Sequence, residues 1–63
     1  MRHTEFWARL DAALGRDYSR SWADQFVITE LGRTTHEALD AGVPPKEVWA
    51  AVWRVLELPE RDR

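Results

Sequence analysis

The chain has 63 residues and a formal net charge of −2, from nine Lys and Arg against eleven Asp and Glu, and it contains no cysteine. That length allows one domain at most. The missing thiols exclude a disulfide framework or a Cys-based zinc site and suit a reducing cytoplasm, and no run is apolar enough to span a bilayer. Residues 1–32 and 33–63 each sum to −1, so the order of residues shows no basic footprint for nucleic acid or an anionic membrane.

A start at Met1 and a charged end read as a whole small protein. Glu5, Arg9 and Asp11 interrupt any apolar stretch that a signal peptide would need. A chain of this size buries only about 60% of its unfolded surface, so it needs large core side chains or a partner. Four Trp, two Phe and one Tyr supply the first.

The spacing predicts four helices in one domain over residues 1–63, with residues 60–63 as a frayed tail. The first runs from about Thr4, a candidate N-cap, to Leu14, with Phe6, Trp7, Leu10, Ala13 and Leu14 on one face and Gly15 as C-cap. The second starts near Asp17, another candidate cap, and Tyr18, Trp22 and Phe26 form a stripe. Val27, Ile28 and Leu31 point elsewhere, so this helix is either buried broadly at its end or broken near Asp24; Gly32 closes the segment. The third covers about Thr35 to Ala41. Thr34 and Glu37 have capping-box spacing there, and Gly42 follows as C-cap. The fourth runs from Pro45, which suits the first helical position, to about Glu57, before Pro59.

The expected fold is therefore an all-α bundle of about four helices. Its expected core is Phe6, Trp7, Leu10, Leu14, Trp22, Phe26, Val27, Leu31, Leu39, Val48, Trp49, Val52 and Leu56.

Several ordered blocks carry a resemblance. They are Met1-Arg2, Thr4-Glu5-Phe6-Trp7, Ser21-Trp22-Ala23, Gly32-Arg33-Thr34, Glu37-Ala38-Leu39, Ala41-Gly42-Val43, Pro45-Lys46 and Val48-Trp49. Together with the total length, they make the chain similar to the small actinobacterial proteins grouped as domain of unknown function 3046. The resemblance spans nearly the whole chain. It implies a compact helical domain from a high-GC Gram-positive bacterium and a gene near that of recombinase A and its regulator; it implies no activity. The chain departs from the family pattern at a shorter loop near Gly32, at Pro44 in place of a capping Asp, and at Trp53 in place of a smaller residue.

Several residue patterns resemble known chemistry. Ala38, Gly42, Val48 and Ala51 have the spacing of a helix-turn-helix pair in the C-terminal half. Yet the outward residues of the fourth helix offer only Lys46 and Arg54 to a nucleic acid, too few for phosphates or base edges. His36, Glu37 and Asp40 echo a zinc-protease helix without its second His, and His3 is remote. Ser19 and Ser21 near Asp17 lack a nucleophile elbow and a linked His. The three Gly stand singly at helix ends and form no phosphate loop, and pairs such as Glu5 with Arg9 are ordinary helix-surface chemistry.

What is left is an aromatic excess, since so small a domain has difficulty enclosing four indoles and Trp is enriched in interface hot spots. The expectation is a non-enzymatic cytoplasmic protein-interaction module with no cofactor and no metal. Its docking face would be Lys46, Ala50, Trp53 and Arg54, with Trp53 as anchor and an unidentified protein as partner. A DNA-binding helix pair, disfavoured by charge, and a structural homodimer are the alternatives; no membrane partner is expected.

Overall fold

The computed structural model describes all 63 residues. Helix α1 spans His3–Leu14, α2 Arg16–Gln25, α3 Thr35–Asp40 and α4 Pro45–Val55. Between α2 and α3 lie two short strands, β1 (Val27–Ile28) and β2 (Arg33–Thr34), and a 3-10 turn (Glu60–Asp62) follows α4. The chain is mostly helical, and the ribbon corrects the all-α expectation.

Helix α1 begins one residue before Thr4. Arg2 occupies the N-cap position in an extended conformation without a side-chain cap, and its carbonyl accepts from Phe6 N–H at 2.9 Å. Gly15 ends this helix and starts the next. Its N–H donates to Asp11 O at 2.8 Å, while its own carbonyl accepts from Ser19 N–H at 2.9 Å. It does so at φ +91°, ψ +141°, a conformation open to glycine and costly for other residues. Because Gly15 supplies the break, Asp17 is not the cap; it lies in the first turn of α2, where a carboxylate suits the helix dipole.

Helix α2 stops at Gln25, and Phe26 turns to extended backbone. The next residues, Val27, Ile28 and Thr29, are a β-branched run, which loses side-chain freedom in a helix and suits a strand. β1 pairs antiparallel with β2 in the register Val27↔Thr34 and Ile28↔Arg33. Period-two alternation then sends Val27 out, at 54% exposed, and Ile28 in, at 1%. Phe26 and Val27, both expected in the core, are at the surface. Phe26 is 41% exposed and stacks on Trp22 at 5.1 Å.

Thr34 is both the last residue of β2 and the N-cap of α3. Its hydroxyl accepts from Glu37 N–H at 3.2 Å, and the Glu37 carboxylate accepts from Thr34 N–H at 2.8 Å, the capping box the spacing predicts. After α3 the chain reverses through Gly42 at φ +92°. Helix α4 opens with Pro45 at its first position and ends at Val55. That is two residues short of the expected end, because Glu57 takes a left-handed conformation (φ 53°).

One continuous core joins these elements. Phe6 and Leu10 of α1 meet Trp22 and Ala23 of α2, Ile28 of β1, Ala38 of α3, and Val48, Trp49, Ala51 and Val52 of α4. Trp7, Leu14, Leu31, Leu39 and Leu56, expected in the core, are half-buried against it. The Phe6 ring packs edge-on to Trp7 at 5.4 Å and to Trp49 at 5.9 Å, the geometry favoured by aromatic quadrupoles.

Candidate docking groove

Lys46, Ala50, Trp53 and Arg54 lie four, seven and eight residues along α4, so helical geometry puts them on one stripe. The structure brings all four to one open groove of about 490 Å³. Met1, just before α1, and Glu5 and Arg9 of α1 line it as well, and Trp49 and Arg63 complete the lining. Lys46 and Arg54 are exposed, and Ala50 and Trp53 are half-buried.

Both indoles of α4 are tied down by the end of the chain. Trp53 Nε1–H donates to Pro59 O at 2.9 Å and Trp49 Nε1–H to Asp62 O at 2.9 Å. The Arg63 guanidinium lies 5.3 Å from the Trp53 ring centroid, and Arg9 lies 5.9 Å from that of Trp49, both within cation–π range. Where fraying was expected, residues 60–62 thus form a turn, and the backbone carbonyls of Pro59 just before it and Asp62 within it accept from the half-buried Trp53 and the buried Trp49.

The cations of the groove differ in their pairing. Arg9 bridges to Glu5 at 2.9 Å, the pair expected from helical spacing. Arg54 grips Glu30, in the turn between the strands, through two parallel hydrogen bonds, one of them from Nε at 2.8 Å. These bonds hold the Glu30 carboxyl below the usual carboxylate range and raise Arg54; burial opposes both shifts and the mutual charge adds to them. Lys46 makes no ion pair. A second recess of about 390 Å³ adjoins the groove at Arg9, Trp49 and Arg63, and is further lined by Ala12, Ala13, Leu58, Arg61 and Asp62.

The residues of α1 and the tail were not part of the expected face. Only the Glu5–Arg9 spacing was visible in the sequence. Nothing local announced that residue 63 would return to residue 9, whose guanidinium donates to Arg63 O at 3.4 Å.

The remaining candidates have structural partners. The Ser19 hydroxyl donates to the Asp11 carboxylate of α1 rather than to Asp17, and Ser21 is exposed beside Trp22 and Phe26. The His36 ring meets the Asp24 carboxylate and tilts against Trp7 at 4.9 Å, while Glu37 is engaged in the capping box. His3 is exposed at the start of α1. No three of the His, Asp and Glu side chains gather into a group that could hold a metal ion. Ala38, Val48 and Ala51 are buried where α3 and α4 meet. No helix is long and apolar enough to cross a membrane.

No curated protein and no solved structure matches the chain. One family does, described as "Protein of unknown function (DUF3046)", over residues 1–61. With all but its last two residues matched, the chain belongs to that family.

Proposed function

We propose that this protein is a non-enzymatic interaction module of the cytoplasm that docks a partner protein in the groove between α4 and the start of α1. One observation carries the reading: Lys46, Ala50, Trp53 and Arg54 share a concave surface that has an aromatic floor and a charged rim. Interfaces are organised in that way, with an apolar centre that excludes water and charges around it that set orientation. Ala50 lines the groove between Lys46 and Trp53 along the helix, so a side chain seated over it would lie beside both.

The test is capture from a lysate of an organism that carries the gene, with nuclease added, comparing the native chain with Ala50→Gln and Trp53→Ala. Ala50→Gln fills the groove without changing its charge and keeps a good helix former at a half-buried position. A protein retained by the native chain and lost with Ala50→Gln, at unchanged melting temperature, supports the groove as the docking site. Equal retention by both sinks it. Loss of all binding on nuclease treatment would move DNA ahead, and melting that rises with protein concentration would favour a homodimer.

A further inference from the structure

Charge that is spread evenly along the sequence is sorted by the fold. The docking groove and the recess beside it are lined by Arg9, Lys46, Arg54, Arg61 and Arg63, five of the nine Lys and Arg in the chain. Of the eleven Asp and Glu, only Glu5 and Asp62 share that lining. Glu30 and Glu60 reach Arg54 and Arg63 from just outside that lining, so the face holds five cations against four acids and the rest of the molecule four against seven. A protein of net charge −2 therefore carries one cationic face on an acidic body.

Three of the five cations already have acidic partners, Arg9 with Glu5, Arg54 with Glu30 and Arg63 with Glu60. All of these side chains are more than a third exposed, and such pairs are worth little in water. A ligand carboxylate can replace one of those glutamates at small cost. Lys46 and Arg61 have no acid to give up.

Resting on the docking reading above, we infer that the groove takes an acidic, partly apolar peptide segment of the partner. Lys46 and Arg54 stand eight residues apart on α4, roughly 12 Å at the rise of a helix. An extended chain covers that distance in about four residues. The matching segment therefore has two carboxylates about four residues apart with an apolar side chain between them, over Ala50 and Trp53. Arg61 and Arg63 extend the cationic track for an acidic continuation.

A nucleic acid fits this face less well. Single strands bind through free aromatic faces on which bases stack. Here Trp49 is 3% exposed, Trp53 is half-buried, and Arg9 and Arg63 lie over their rings.

The test pans a random dodecapeptide library on the full chain and follows the selected peptides by the indole N–H signals of a nitrogen-labelled sample. Lys46→Glu is the companion variant. It has no partner to lose, and it adds an acid in the first turn of α4, where the helix dipole favours one, so the fold is preserved. The expected result is acidic selected peptides that carry an apolar residue, that move the Trp53 signal, and that bind Lys46→Glu about tenfold more weakly. Neutral or basic peptides that move Trp53 and ignore Lys46→Glu would overturn the acidic partner and leave the groove as a docking site. Failure of every selected peptide to move Trp49 or Trp53 would overturn both. Oligothymidylate serves as the rival probe: binding tighter than any selected peptide, and falling steeply with salt, would replace the peptide with a nucleic acid.

Discussion

The indole N–H of Trp49 donates to the carbonyl of Asp62, 2.9 Å away across thirteen residues of chain. The donor belongs to a buried side chain of α4, at 3% exposed, and a buried N–H without an acceptor is destabilising. Removing residues 59–63 takes away that carbonyl together with the Pro59 acceptor of Trp53. Truncation after Leu58 should cost about 1–3 kcal/mol, read as a lower urea midpoint at unchanged slope. An unchanged midpoint would mean that the turn contributes nothing to holding α4.

The bond between Ser19 and Asp11 ties α2 back to α1. Ser19 is 0% exposed, and its hydroxyl donates to a carboxylate that is three-quarters covered. Ser19→Ala should destabilise by about 1–2 kcal/mol, as expected for a lost hydrogen bond to a charged group. Ser21→Ala, on the exposed side of the same helix, should stay within about 0.5 kcal/mol. Equal effects would show that the carboxylate finds another donor at no cost.

Adjacent residues of β1 should respond in opposite ways. Ile28→Ala empties a fully buried site and should cost about 2–5 kcal/mol, with Ile28→Val near 1 kcal/mol. Val27→Ala, one residue earlier and facing outward, should change stability by less than about 0.5 kcal/mol. The reverse order would require the ribbon to be shifted by one residue.

Acid should act on the link between α4 and the strand turn. The carboxyl of Glu30 is lowered in the folded protein by the Arg54 hydrogen bonds. A depressed folded pKa adds stability that is present in full above the unfolded value and lost as pH falls through the folded one. A carboxylate NMR titration should place the Glu30 midpoint below the usual glutamate range, and Arg54→Gln should return it there. A Glu30 midpoint that ignores Arg54→Gln would break the assignment of cause.

The sequence disclosed most where the determinant was local. Thr34 and Glu37 announced their box because a cap and its reciprocal acid are three residues apart. Phe6 and Leu10, and Val48 and Val52, announced the inner faces of α1 and α4 because each pair is one turn apart and fully buried. Residues 26–28 were harder. Phe26 continues the α2 stripe begun by Tyr18 and Trp22, and only the β-branched run after it argues for a strand. Ribbon pairing decides the contest, since Ile28 rather than Phe26 or Val27 reaches the core. Half of the candidate groove was legible for the same reason: Lys46, Ala50, Trp53 and Arg54 share a helix. The other half, Arg9 and Arg63, depends on the return of the chain end across α4, and a residue count holds no trace of it. Nor does a running charge sum show that the cations converge.

Gly15 serves as the last cap of α1 and the first of α2, so the Asp11–Ser19 contact forms across a one-residue joint. Closing a loop costs more as the loop lengthens, and here there is almost no loop to close. The first 25 residues can therefore dock helix on helix by a local search. The return of the tail onto Trp49 needs α4 already in place. The α1–α2 contacts are thus local in sequence, whereas the latch on the indoles depends on elements far apart along the chain.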